Sequence, residues 1–128
     1  MSEMPKHPLA DLANDVVNHI NSDAKSDTPL WDKHYHPGFV SVEADGMTHS
    51  GRDEVQKKHD QWFEMHNVYS VKAHPAHLGH NCFSVVIELD AESKDGSWPR
   101  MQMQETAHYH VEDGKIVREE FLMPPMGG

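Results

Sequence analysis

The tightest constraint on this chain lies near its end, where Asp113-Gly114 sits between two strand-like runs, about Arg100–Val111 and Lys115–Met123. An Asp-Gly pair between such runs marks a two-residue hairpin, because a type I′ turn needs positive φ at both central residues. A loop that short fixes the register. Counting outward, Glu112 faces Lys115, His110 faces Val117, His108 faces Glu119, Thr106 faces Phe121 and Gln104 faces Met123. Directly opposed residues share one face of a sheet. That face is expected to carry His110, His108, Thr106 and Gln104 with Val117, Glu119, Phe121 and Met123. A histidine opposite a glutamate, flanked by large apolar groups, has the character of a pocket wall.

The rest of the chain supplies helices first and strands last. Leu9, Leu12, Ala13, Val16, Val17 and Ile20 form one apolar stripe, which predicts a helix from Pro8 to about Asn21. A polar break at Ser22–Ser26 follows. A second, short helix is expected from about Thr28 to His36, with Trp31 and Tyr35 one turn apart and Pro37-Gly38 ending it. Phe39–Glu43 reads as a strand that turns at Asp45-Gly46 and returns over Met47–His49. Ser50-Gly51-Arg52-Asp53 has the look of a capping box opening a third helix, whose stripe is Val55, His59, Trp62, Phe63 and His66. Strands over about Tyr69–His77, Cys82–Ala91, Arg100–Val111 and Lys115–Met123 then form a meander. Pro75 cannot donate to a ladder and marks a bulge or an edge. This order predicts an α+β domain spanning residues 1–128, with an ordered core of about 8–124: a curved antiparallel sheet wrapped around N-terminal helices as a cone with an internal pocket.

Composition narrows the function. The chain has 128 residues, 37% hydrophobic and 25% charged, enough for one core. A formal net charge of -10 argues against nucleic acid and anionic membrane as partners, since both need clustered Lys and Arg. No apolar run is long enough to span a bilayer and no signal peptide is evident. Cys82 is the one cysteine, which excludes an internal disulfide and fits a reducing compartment, so a cytoplasmic protein is expected. The twelve histidines raise the question of metal. His108 and His110 with Glu119 could form a facial set, but the spacings match no zinc motif, and no metal site is assigned.

Three local patterns, in the right order and spacing, carry a resemblance. Trp31-x-x-x-Tyr35-x-Pro37-x-Phe39-Val40, His49-Ser50-Gly51-Arg52-Asp53-Glu54-Val55 and Val111-Glu112-Asp113-Gly114-Lys115-Ile116-Val117-Arg118-Glu119-Glu120-Phe121 resemble the SnoaL-like polyketide cyclases of the nuclear-transport-factor-two-like, or cystatin-like cone, superfamily. The resemblance runs from about residue 9 to 123. It implies the cone fold, chemistry without a cofactor, and a homodimer paired through the outer sheet face. By the register above, that face would carry Met101, Met103, Ala107, Tyr109, Val111, Ile116 and Leu122. The cyclases' aspartate near the end of the last strand has no counterpart in Phe121-Leu122-Met123-Pro124-Pro125. In ketosteroid-isomerase relatives a base closes the first strand, a position resembling Glu43, and an oxyanion donor sits at a position resembling Thr106.

The candidate catalytic set is therefore His108, Glu119 and Glu43. Glu119 would orient His108 as general acid/base, and Glu43 would abstract a proton α to a carbonyl. The plain alternatives are a cross-strand ion pair and a solvated hairpin residue. Trp31, Tyr35, His59, Trp62, Thr106, Phe121 and Met123 are the candidate ligand-binding residues; ordinary core packing is the alternative for each apolar one. The expected function is a small-molecule enzyme of isomerase, cyclase or dehydratase type acting on an apolar, carbonyl-bearing substrate. Its rivals are a non-catalytic binding module for an apolar ligand and a dimeric accessory or stress protein.

Overall fold

The computed structural model describes residues 6–22 and 26–124. Most of the polar leader and of the Ser22–Ser26 break, and the tail from Pro125, lie outside the described residues. Helix α1 spans Ala10–Ile20 and buries Leu12, Ala13, Val16 and Val17, the predicted stripe. Helix α2 is Thr28–His34, with Pro29 in its first turn. It stops before His36 because Tyr35 is already extended and opens strand β1, Tyr35–Val42. Pro37-Gly38 therefore lies inside a strand, not at a helix end. After β2 (Thr48–Ser50), helix α3 runs Gly51–Met65; the Ser50–Asp53 capping box is not formed, and instead the Glu54 carboxylate, one residue further on, accepts the Ser50 N–H at 2.6 Å.

Strands β3 (His66–Ala73), β4 (His77–Gly79), β5 (Cys82–Ser93), β6 (Met101–Glu112) and β7 (Lys115–Leu122) complete one curved, unclosed sheet. Its order is β2-β1-β7-β6-β5-β3, with β4 also on β5. Pro75 splits the expected Tyr69–His77 strand into β3 and β4, as a residue without an N–H must. The meander is present, and β1 joins it by pairing in parallel with β7. The helices pack on one face of this sheet. Between the two layers lies the core, whose most enclosed large side chains are Phe39, Phe83, Ile116, Val16, Val55 and Val85.

The closing hairpin turns at Asp113 (φ 50) and Gly114 (φ 76), as the type I′ reading requires. Glu112 faces Lys115, but Val111 then faces Ile116 and His110 faces Arg118, so Val117 is an extra residue in β7. This β-bulge shifts every later pair by one and reverses which residues share a face. Tyr109, not His108, stands opposite Glu119, and Ala107 stands opposite Phe121. His108 stands opposite Glu120 and Thr106 opposite Leu122, on the face away from the helices. The apolar set assigned to a dimer interface is also corrected. Ala107, Tyr109, Val111 and Ile116 are core residues under the helices, with Met101 and Met103 on the same side. Of that set, Leu122 lies on the outer face, opposite Thr106 and 46% exposed.

Candidate functional site

A cavity of about 1560 Å³, open to solvent, separates the helices from the covered sheet face. Its floor is built where β1, β6 and β7 meet. Alternation along β1 turns Phe39 and Ser41 inward, both 0% exposed. Ser41 lies beside Glu119 in the parallel register. Glu119 is 4% exposed and its carboxyl accepts a hydrogen bond from the Tyr35 hydroxyl at 3.0 Å, with the Ser41 hydroxyl beside it. Lys58, on α3, donates to Ser41 Oγ at 2.9 Å, and its Nζ stands 3.8 Å from Glu43 Oε1 and 5.1 Å from the Phe121 ring centre. The Lys58–Ser41 and Tyr35–Glu119 hydrogen bonds thus lie side by side at the bottom of the cavity.

The electrostatics follow from burial. Desolvation pushes the Glu119 carboxyl above the ordinary carboxylate range, against the opposing pull of Lys58, His59, Tyr35 and Ser41. Glu105, inward-facing on β6, is likewise raised by burial and by the nearby Glu119 charge, with Lys58 opposing. Burial and Glu119 together push the Tyr35 and Tyr109 hydroxyls well up, so both are proton donors.

A second cluster joins the three helices. Asp27, the N-cap residue of α2, accepts from His19 Nε2 of α1 at 2.7 Å and pairs with His59 Nδ1 of α3 at 3.0 Å. Burial alone would raise the Asp27 carboxyl, but the His59 and His19 contacts hold it below its usual value. With Nδ1 turned to Asp27, His59 Nε2 has no hydrogen-bond partner among the described residues. The His59 ring also packs at 6.0 Å from Trp31. Toward the mouth, His66 is stacked on Trp62 at 4.5 Å and lies 5.2 Å from Trp98.

Most predicted site residues do meet here. Trp31, Tyr35, His59, Trp62, Phe121, Met123, Glu43 and Glu119 all line the cavity. Trp31 and Tyr35 are core residues as well, at 4% and 6% exposure. Glu43 is held between Lys58 and His49, whose Nε2 stands 3.9 Å from its other oxygen. Thr106 and His108 are corrections. Thr106 lines a shallow depression on the opposite face with His74, Pro75, His77, Ser84, Val86 and Gln104. His108 Nδ1 is hydrogen-bonded to Ser84 at 2.7 Å and its ring packs on His110. Glu119 therefore does not orient His108, and the His108–His110–Glu119 metal set is split across the sheet. Among the described residues, no group of three or more His, Cys, Asp or Glu is placed to hold a metal ion. Nor is any helix among them long and apolar enough to cross a membrane.

Sequence reasoning missed Asp27, Ser41, Lys58, Glu105 and His19. The Phe39-x-Ser41-x-Glu43 alternation was a usable signal for Ser41. Asp27 carried none beyond a polar residue next to a helix start.

No curated protein matches the sequence. Solved structures do. A SnoaL-like polyketide cyclase candidate from Mesorhizobium loti superposes with TM-score 0.77 at 22% identity, covering 90% of this chain and 98% of that one. A second such candidate, from Jannaschia, gives TM-score 0.73 at 13% identity over 94% and 90% of the two chains. A protein of unknown function with a cystatin-like fold from Xanthomonas campestris gives 0.68 at 15% identity over 90% and 89%. At these identities the likeness establishes the cone fold. The SnoaL-like domain model matches residues 30–123, most of the chain and the whole of the sheet, so this chain belongs to the SnoaL-like family.

Proposed function

We propose that the cavity is the active site of a small-molecule enzyme that moves protons on an apolar, carbonyl-bearing substrate using its own side chains, in the manner of an isomerase, cyclase or dehydratase. The observation that carries this reading is Glu119: a carboxyl at 4% exposure, raised by burial, hydrogen-bonded by Tyr35, at the floor of an aromatic cavity. A carboxyl whose pKa burial raises is the stronger base when ionised, which suits it to proton transfer. Glu119 or His59 Nε2 takes a proton from the carbon next to the carbonyl. Glu105, whose carboxyl burial shifts toward the protonated form, returns one. Asp27 holds the His59 ring in one tautomer while this happens.

The test is deuterium uptake from heavy water into a panel of apolar ketones and enones, followed by mass spectrometry. Glu119→Gln and His59→Gln, both folded by circular dichroism, should each slow uptake by roughly 10²-fold or more. Uptake at the wild-type rate in both variants sinks the proposal. A second reading, ligand binding without turnover, is favoured by the absence of a carboxylate after Phe121 and by the exposed apolar rim of Phe63, Tyr69 and Val71 around the mouth. It predicts tight binding of the same compounds with no uptake.

A further inference from the structure

The proton chemistry above leaves one buried charge without a task. Lys58 has a side chain only 12% exposed, yet among the described residues its Nζ makes a single hydrogen bond, to Ser41 Oγ at 2.9 Å. An ammonium has three N–H donors, and a buried donor left without a partner is costly. The other groups facing it do not supply the missing bonds. Glu43 Oε1 stands at 3.8 Å, beyond hydrogen-bond reach, and Phe121 offers the face of its ring at 5.1 Å. Glu105 and Glu119 act on Lys58 through their charge alone, without a hydrogen bond to it. The ammonium lines the cavity with donor capacity to spare.

We propose that Lys58 is the electrophilic anchor of the cavity: its ammonium binds the substrate's carbonyl oxygen and holds the negative charge when that oxygen becomes an enolate. The assignment rests on the proton-transfer reading, and it narrows the substrate to compounds whose reacting oxygen becomes anionic. The step balances without a further reactant. The C–H bond next to the carbonyl breaks and its proton goes to the base. The electron pair forms a C=C bond, and the carbonyl π pair moves to the oxygen facing Lys58. A fixed ammonium on the cavity wall is aimed at charge that exists only after proton transfer, so it lowers the barrier instead of merely tightening binding. The aromatic and apolar wall keeps that interaction strong.

Nitrophenols test this without turnover, because their absorbance reports whether the bound oxygen is ionised, as an enolate's would be. 4-Nitrophenol and a bulkier nitronaphthol are titrated with protein at a pH below their free ionisation. Wild type should bind them with an ionised fraction at least tenfold above that in buffer. Lys58→Met should remove most of that gain, and Lys58→Arg should keep part of it, since it retains the charge with a different fork of donors. If Lys58→Met does not fold, Lys58→Gln serves, with near-ultraviolet circular dichroism confirming native packing. Binding with the same ionised fraction in wild type and the neutral variants overturns the Lys58 assignment and leaves the proton-transfer reading to its own deuterium test. Failure of wild type to bind any of the phenols overturns the anchor as well, and deuterium uptake then shows whether the cavity reading falls with it.

Discussion

Ser41 on β1 stands beside Glu119 on β7 in parallel register and receives the Lys58 ammonium at 2.9 Å, so one hydroxyl ties α3 to the sheet at the cavity floor, next to the last strand. It accepts from Lys58 and lies beside the Glu119 carboxyl, whose pKa it helps to lower. Removing it strands the Lys58 donor. Ser41→Ala should cost about 1–3 kcal/mol, more than a surface serine would. Urea unfolding measures it, and a cost within ±0.5 kcal/mol, the usual surface range, would show that the Lys58–Ser41 bond does not couple the layers.

Glu119 itself should make stability fall as pH rises. Its folded carboxyl is raised above the ordinary 4.5 by burial, so the fold binds the proton more tightly than the unfolded chain does. That contribution is fully present below the unfolded value and is lost as pH rises through the folded value. Glu119→Gln carries no charge to bury and still accepts the Tyr35 hydroxyl. Its stability relative to wild type should therefore be higher at pH 8 than at pH 4. Denaturant unfolding at both values checks it; a difference that is flat or reversed removes the buried-charge account.

The helices, the cone and the turn at Asp113-Gly114 were legible because local chemistry decides them: an apolar stripe at helical spacing, and two residues able to take positive φ. The cavity's aromatic lining was legible for the same reason. The partner of Glu119 was not, because a turn fixes register only as far as the first bulge, and Val117 adds a residue just beyond it. The sequence did hold a trace of this. In β6, Val111, Tyr109 and Ala107 alternate with polar residues and claim the core. In β7, Ile116 and Phe121 are both inward although five apart, which strict alternation forbids. That parity break is the bulge. Lys58 and Asp27 were hidden for another reason. Their roles depend on neighbours 17 or more residues away or on another helix, which no local pattern encodes.

Tyr109 gives a direct test of the corrected face. It is 3% exposed, and its ring stacks on Phe83 at 4.7 Å under the helices. Tyr109→Ala should cost about 3–5 kcal/mol, the loss expected for a buried aromatic ring. Thermal unfolding with light scattering separates this from an interface role. A variant of unchanged melting temperature but smaller particle size would return Tyr109 to a surface between copies.

Asp27 should act in the opposite sense to Glu119. Its two histidine contacts outweigh burial and hold the carboxyl below its ordinary 3.8, so the unfolded chain binds the proton more tightly. The resulting stability is present above the unfolded value and is lost as pH falls through the lower folded one. Asp27→Asn removes the charge while keeping the shape. The side chain is about one-third exposed, which screens the interaction, so a deficit of about 1 kcal/mol is expected. Because α1, α2 and α3 meet at this residue, the deficit should appear in global unfolding and not as local fraying. It should hold steady from pH 5 down to about pH 4 and then shrink as the wild-type carboxyl takes up its proton, which the asparagine cannot mirror. Chemical unfolding of both proteins between pH 2.5 and 6 checks the shape of the curve. A deficit that grows on acidification would mean that the histidines do not hold the Asp27 charge in place.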